Sequence, residues 1–204
     1  MMRGLYLVTP NWDDTEKLLV CTGRALQAGA ALVQYRHKDA SLALRREQAS
    51  ALLALCRLHD TPLVINDHVA LCQDIDADGV HVGATDDGVA NVRRTLGAGK
   101  IVGASCYGDI ELARAAQRSG ASYVAFGGFY PSVVKKYPVT TPHDIVTQAK
   151  AELPVSVVVI GGMTAPNAAP LVARGADMVA AISSVYLAPD VAEAVAGFGA
   201  LFRD

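Results

Sequence analysis

The sequence predicts an α/β fold, a single-domain (β/α)8 barrel of the TIM type, and three observations carry that reading. Short apolar runs alternate with longer amphipathic ones along the whole chain. Helix-ending motifs built on glycine recur before strands: Ala28-Gly29-Ala30, Ser119-Gly120-Ala121 and Arg174-Gly175-Ala176-Asp177, with Ala77-Asp78-Gly79 as a looser relative. The 204 residues divide into eight units of about 25, which accommodates a mean strand, a mean helix and two short loops. An open doubly wound sheet is the alternative, and its first strand normally enters a GxGxxG turn. Here the first apolar run leads into Thr9-Pro10-Asn11-Trp12, which has no such glycines.

The strands follow in order. Gly4–Val8, Leu32–Arg36, Pro62–Ile65, Gly79–Val82, Ile101–Ala104, Tyr123–Phe126, Val155–Ile160 and Met178–Ile182 are rich in Val, Ile, Leu and Tyr with little polar alternation. That is the pattern of strands buried on both faces of a parallel sheet. Between them, stretches such as Leu42–Leu58, Ile110–Arg118, Ala165–Ala173 and Ala192–Phe202 place apolar residues at helical spacing. Val69–Asp74 has room for only a turn or two of helix. Glycine just past a helix is the favoured left-handed cap, so the recurring motif marks helix-to-strand turns and points to an internal repeat.

Composition narrows the partners. A chain 51% hydrophobic and 19% charged can build a large core and is no disordered polymer. Lys plus Arg number 18 against 20 for Asp plus Glu, a net charge of -2, so no global basic field exists to attract nucleic acid or an anionic membrane. Phosphate binding must then be local. Cys21, Cys56, Cys72 and Cys106 show neither a CxxC pair nor a finger spacing and read as buried or incidental thiols of a reducing cytoplasm. The apolar run at the start, Leu5–Val8, is too short for a signal-peptide core or a membrane span. A cytoplasmic protein is expected, with no nucleic-acid or membrane partner; composition carries no signal of its oligomeric state.

In such a barrel the residues just past the strand ends face the active site. Those positions hold Gln34, Tyr35, Arg36, His37 and Lys38; Asn66, Asp67 and His68; Gly83 to Asp86; Gly103 to Cys106; and Ile182, Ser183 and Ser184. The longest connection, Gly127 to Thr140, contains Ser132, Val133, Val134 and Lys135 and is expected to act as a lid. Gly161-Gly162 after the seventh strand and small residues opening the helix after the eighth fit the usual barrel phosphate site, although two glycines also make a tight turn. Asp67 and Asp86 end neighbouring strands, so their carboxylates either converge on a hard cation or cap the helices that follow. Arg36, Lys38 and Lys135 at strand ends point to a polyanionic ligand. His81 falls on a strand and reads as barrel-lining; His59 and His143 sit at helix edges; no histidine has zinc-ligand spacing, and no covalent nucleophile stands out.

Taken together, Gly4-Leu-Tyr-Leu-Val-Thr-Pro10, Val33-Gln-Tyr-Arg-His-Lys-Asp39, Val64-Ile-Asn-Asp67 and Asp78-Gly-Val-His-Val-Gly83 resemble the thiamin phosphate synthase family. So do Gly103-Ala-Ser105, Gly127-Gly-Phe-Tyr-Pro131 with Lys135-Lys136, Ile160-Gly-Gly-Met-Thr164 and Ile182-Ser183, in order along essentially the whole chain. The resemblance implies a transferase that joins hydroxymethylpyrimidine diphosphate to a thiazole phosphate, with Mg²⁺ as cofactor. It implies pyrimidine-diphosphate contacts from Gln34, Tyr35, Arg36, His37, Lys38, Asn66, Ser105 and Lys135, with Arg36, Lys38 and Lys135 on the leaving diphosphate. It implies thiazole-phosphate contacts from Ser132, Val133, Val134, Gly162, Ile182 and Ser183, and makes Asp67 and Asp86 the magnesium ligands.

This chain departs from the family pattern at Ala84, where glutamine is frequent, and at Val134, where a second hydroxyl residue is common. Two other functions compete. A thiazole tautomerase would share the barrel but would not need Asp67, Asp86, Arg36 and Lys38 together. A non-catalytic phosphate-metabolite sensor would bind ligand without turnover and would be expected to have lost metal ligands.

Overall fold

The computed structural model describes residues 1–83, 86–131 and 140–203, with the backbone alone for residues 86 and 87. Ala84, Ser132, Val133, Val134, Lys135 and the Asp86 side chain therefore lie outside the described residues, as does the middle of the expected lid.

Eight parallel strands close into a barrel in sequence order: β1 (Gly4–Val8), β2 (Leu32–Tyr35), β3 (Leu63–Asn66), β4 (Gly79–Gly83), β5 (Ile101–Tyr107), β6 (Tyr123–Phe126), β7 (Ser156–Ile160) and β8 (Met178–Ala181). Closure comes from β1 pairing with β8 through Tyr6↔Ala180 and its neighbours. The helices are α1 (Thr15–Gln27), α2 (Leu42–Arg57), α3 (Val69–Ile75), α4 (Asp86–Leu96), α5 (Ile110–Arg118), α6 (Asp144–Glu152), α7 (Ala165–Ala173), the single turn α8 (Ser183–Tyr186) and α9 (Val191–Ala200). None is long and apolar enough to cross a membrane.

Strand alternation divides the core in two. Leu5, Leu7, Val33, Ile65, Val102, Val124, Val157 and Val179 pack outward against the helices. Tyr6, Val8, Leu32, Val64, Tyr123, Ala125, Val158, Met178 and Ala180 fill the barrel itself.

The repeated helix ends behave as the glycines foretell. Gly29, Gly120 and Gly175 take φ of 102°, 94° and 103°, and the amide of the following alanine bonds a carbonyl five residues back: Ala30 to Ala25, Ala121 to Ala116 and Ala176 to Leu171. This is the six-to-one bond of a Schellman cap. In the looser relative the slot belongs to Asp76, at φ 55°, with Ala77 bonding Cys72, so the left-handed position there lies three residues before the glycine. The next residue of the repeat then caps a strand start: Asp78 accepts from the Leu63 amide at 2.8 Å and Asp177 from the Val157 amide at 2.7 Å. These contacts lie at the strand N-termini, the end of a barrel given to stability.

Several boundaries differ from expectation at the opposite end. β5 continues through Ser105, Cys106 and Tyr107 because both neighbours pair with it, Gly83 with Ser105 and Phe126 with Tyr107. A register shift between Ser105 and Tyr107 marks a bulge, which re-aims side chains at a strand end. Asn66 is the last residue of β3, Arg36 lies just past β2, and Ile182 is the N-cap of α8 rather than a strand residue.

Candidate functional site

Beside a concavity of about 510 Å³ between α7, α8 and α9 that shares Ser183 and Ser184, two concavities gather the other expected residues at the strand C-termini. The larger of these two, about 250 Å³, is lined by Ser105 and Tyr107 of β5, Gly161 and Gly162 after β7, and Ile182, Ser183 and Ser184 at the start of α8, with Tyr130 and Thr141 beside them. The smaller, about 220 Å³, is lined by Tyr35, His37, Lys38, Arg45, Asn66, Asp67 and His68. The structure thus brings Gly162, Ile182 and Ser183 together, and places Lys38, Asn66 and Asp67 around a second space. The two are linked through β4: the Asp67 amide donates to the His81 carbonyl at 2.9 Å, and His81 Nε2 lies 2.8 Å from Ser105 Oγ.

The larger cavity depends on backbone shape. Gly162 holds φ 62°, and a Cβ there would stand 2.1 Å from the Pro131 carbonyl oxygen. Its own carbonyl accepts from the Asn167 side chain at 2.9 Å, tying the turn to α7, whose start is a capping box between Thr164 and Asn167. The turn is therefore a tight one, and the same glycines line the cavity. The first amides of α8, at Ser183 and Ser184, have no carbonyl one turn back within their helix. Ser184 Oγ is buried with no hydrogen-bond partner among the described residues. The sequence places Ser184 past the eighth strand; that its hydroxyl stands at the cavity wall without a partner among the described residues is visible only in the fold.

On β2 the expected contacts separate into different environments. Gln34 is 4% exposed and its amide donates to the Tyr6 hydroxyl inside the barrel. Arg36 is 8% exposed, so it is no solvated rim charge. Lys38 is exposed beside the smaller cavity. Tyr35 packs among the outward core residues, its hydroxyl donating to Gln48 Oε1 at 3.0 Å, and burial pushes its ionisation up to about 12. The His37 side chain is only 3% exposed and meets Asp13 through Nε2 at 3.0 Å, while its Nδ1 has no partner among the described residues.

Sequence reasoning missed Arg45, which reaches the smaller cavity from the first turn of α2 with an Nη2 bond to the Ala40 carbonyl at 2.9 Å and a buried Nε that has no partner among the described residues. It also missed Tyr107. That residue holds φ 53° at the end of β5, half-exposed in the larger cavity. Partial burial and the nearby Arg45 guanidinium hold His68 below the usual histidine range, against the opposing pull of Asp67.

The helix-capping alternative does not hold for Asp67, and the Asp86 side chain lies outside the described residues. The N-cap of α3 is His68, without a side-chain cap bond, and Asp86 is the first residue inside α4. Asp67 instead turns left-handed at φ 62°, exposed, with Oδ2 accepting from Asn66 Nδ2 at 2.7 Å. Asp67 and Tyr107 carry positive φ at the site end of the barrel, where such strain accompanies function; Asp76 carries it as a helix terminator. An exposed carboxylate beside an amide is a hard oxygen donor suited to Mg²⁺. Among the described residues no group of three or more His, Cys, Asp or Glu could cage a metal. That donor set fits an ion held by one or two carboxylates and completed by water and phosphate oxygens, the usual habit of Mg²⁺.

Comparison with known proteins agrees with this geometry. A family model described as thiamine monophosphate synthase matches residues 5–185. The chain is 63% identical over 201 residues to a thiamine-phosphate synthase of Janthinobacterium sp. (strain Marseille), covering 98% of this chain and 97% of that protein. It is 47% identical over 199 residues to the one of Thiobacillus denitrificans, covering 98% and 94%. Among solved structures, a thiamine phosphate pyrophosphorylase from Pyrococcus furiosus superimposes with a TM-score of 0.84 at 28% identity, covering 98% of this chain and 95% of that one. A match over nearly the whole length, to relatives of this identity and to a barrel of this shape, shows that the chain belongs to the thiamine monophosphate synthase family.

Proposed function

We propose that the chain makes thiamin phosphate by joining hydroxymethylpyrimidine diphosphate to a thiazole phosphate, either hydroxyethylthiazole phosphate or its carboxylated form, with release of diphosphate and, from the carboxylated form, of carbon dioxide, whose place a proton takes. The observation that supports this reading best is the pair of adjacent concavities joined through His81 and Ser105. One offers glycine turns and a helix start to a phosphate; the other offers Lys38, Arg45 and Asp67 to a diphosphate and its cation.

In this reading Gln34, Asn66 and Ser105 orient the pyrimidine, and Arg36, Lys38 and Lys135 meet the charge that collects on the leaving diphosphate. The methylene C–O bond breaks with its electron pair going to diphosphate, and the thiazole nitrogen forms the new C–N bond. The electron-rich aminopyrimidine stabilises the intervening cation, so no protein nucleophile is needed. Asp67 and Asp86 would hold Mg²⁺, which when bound supplies Lewis-acid neutralisation of the phosphate oxygens. Gly162, Ile182 and Ser183, with Ser132, Val133 and Val134, take the thiazole phosphate. A tautomerase would leave the buried Arg36 and the exposed Lys38 and Asp67 without a task. The four cysteines are free thiols, three of them buried, which supports a cytoplasmic setting.

Incubation with both substrates and Mg²⁺ should release diphosphate and form thiamin phosphate in equal amounts. Binding of the thiazole phosphate without product, or its isomerisation alone, would overturn the assignment.

A further inference from the structure

Inside the barrel runs one continuous line of polar side chains. The Gln34 amide donates to the Tyr6 hydroxyl. The Tyr6 and Tyr123 hydroxyls are 2.6 Å apart, Tyr123 lies 2.9 Å from His81 Nδ1, and His81 Nε2 lies 2.8 Å from Ser105 Oγ. The rings are fixed by packing: Tyr6 meets Tyr123 edge-on and His81 stacks on Tyr123, both at 5.6 Å between centroids. The Tyr123 ring occupies the space above Gly103, where a Cβ would fall 2.0 Å from its Cζ.

The line has a direction. A hydroxyl has one hydrogen to give. Tyr6 accepts from Gln34, and the one other polar group its hydroxyl meets among the described residues is the Tyr123 hydroxyl, so the ordering that leaves no buried hydrogen unused has Tyr6 giving its hydrogen to Tyr123 and Tyr123 giving its own to His81 Nδ1. A neutral imidazole that accepts at Nδ1 carries its hydrogen on Nε2 and donates there. Ser105 Oγ then accepts from His81, and its hydrogen is left for something else. Burial raises both phenols well above the ordinary tyrosine range, so each keeps the hydrogen this ordering uses.

We infer that Tyr123, packed against Tyr6, is a positioning residue whose hydroxyl holds His81 as the Nε2–H tautomer and so commits the Ser105 hydroxyl hydrogen to an acceptor atom in the larger cavity. Resting on the synthase reading, that acceptor is a ring nitrogen of the pyrimidine. The reverse ordering would turn Ser105 toward His81 and leave only an acceptor facing the ligand.

Nitrogen-15 spectra of histidine-labelled protein, with His81 identified by its loss in His81→Asn, separate the two tautomers. The wild type should show Nε2–H. In Tyr6→Phe, Tyr123 still donates to Nδ1 and the tautomer should persist. In Tyr123→Phe it should become mixed or switch, with kcat/KM for the pyrimidine diphosphate falling roughly three- to tenfold, the span of one net hydrogen bond, and KM for the thiazole phosphate unchanged. A purely structural Tyr123 would leave the tautomer of Tyr123→Phe as it is in the wild type. An Nδ1–H tautomer in the wild type, or an unchanged tautomer in Tyr123→Phe, overturns the relay. Diphosphate release by the wild type tests the functional reading separately, since the spectra need no substrate.

Discussion

The hydroxyl of Thr9 accepts from the Arg36 amide at 2.8 Å and donates to the Arg36 carbonyl at 3.3 Å, so one buried side chain just past β1 holds both backbone groups of the residue just past β2. Thr9→Val preserves the shape and strands both groups in a buried setting. Leaving buried polar groups unpaired costs about 1–3 kcal/mol. Urea denaturation should show that loss in Thr9→Val, together with reduced turnover, while Thr9→Ser stays close to wild type. Equal stability in all three proteins would mean that the hydroxyl contributes nothing to the placement of Arg36.

Arg36 itself should matter for rate more than for folding. Its guanidinium offers paired donors to a diphosphate and gains most as charge collects on the leaving group. Arg36→Met should lower turnover by roughly 10²–10³, the usual loss on removing one such donor, with a smaller change in thermal midpoint. Arg36→Lys keeps the charge and loses the fork, so it should fall between the two. Near-normal turnover in Arg36→Met would remove the residue from the catalytic set.

Gly162→Ala should damage the larger cavity. Its φ of 62° is unfavourable for alanine, and the added Cβ would meet the Pro131 carbonyl oxygen at 2.1 Å, so the turn must shift. Gly99 has open space and no such φ, which makes Gly99→Ala the control. KM for the thiazole phosphate should rise in Gly162→Ala and stay unchanged in Gly99→Ala.

Much of this arrangement is local and therefore legible in the chain. The eight apolar runs and the glycines at 29, 120 and 175 announce strands and left-handed caps because each depends on its own neighbours. What escapes local reading depends on distant ones. Ser105 and Tyr107 follow small residues with weak strand preference, and belong to β5 only because β4 and β6 pair there. Arg36 is legible as a strand-end cation, but its burial, and the hold that Thr9, 27 residues away, has on its backbone, are not. The Tyr6–Tyr123 contact spans 117 residues and exists only because the barrel closes. Asp67 fails as a helix cap because the chain turns left-handed at that residue and passes the N-cap position to His68.

Alkaline pH should weaken the fold through its buried thiols. Burial pushes Cys56 and Cys106 up to about 12 and Cys72 to about 11, from an ordinary 9.0. Below pH 9 both folded and unfolded chains keep these protons, and the stabilisation is whole. Between pH 9 and the raised values the unfolded chain releases protons that the folded chain retains, so stability falls as pH rises, by roughly 1.4 kcal/mol per unit for each group. Urea titrations at pH 8, 9 and 10 should show that slope, and it should be shallower in a Cys56→Ala, Cys106→Ala double variant. A flat profile in the wild type would contradict the raised thiols.

Asp67→Asn isolates the metal proposal from the backbone. Asparagine tolerates the left-handed region as well as aspartate does, so the φ of 62° need not change. The side chain also keeps an oxygen that can accept from Asn66, as Asp67 Oδ2 does at 2.7 Å. What the substitution removes is one negative charge at an exposed oxygen beside the smaller cavity. Stability should therefore stay within about 0.5 kcal/mol of wild type, the range of surface changes that disturb no special feature. Direct Mg²⁺ titration of the protein with inorganic diphosphate, followed by calorimetry, should show much weaker metal uptake, and diphosphate release in the full reaction should need far more Mg²⁺. A destabilised variant with unchanged Mg²⁺ dependence would make Asp67 a turn residue alone; a stable variant with unchanged activity at low Mg²⁺ would remove it from the site.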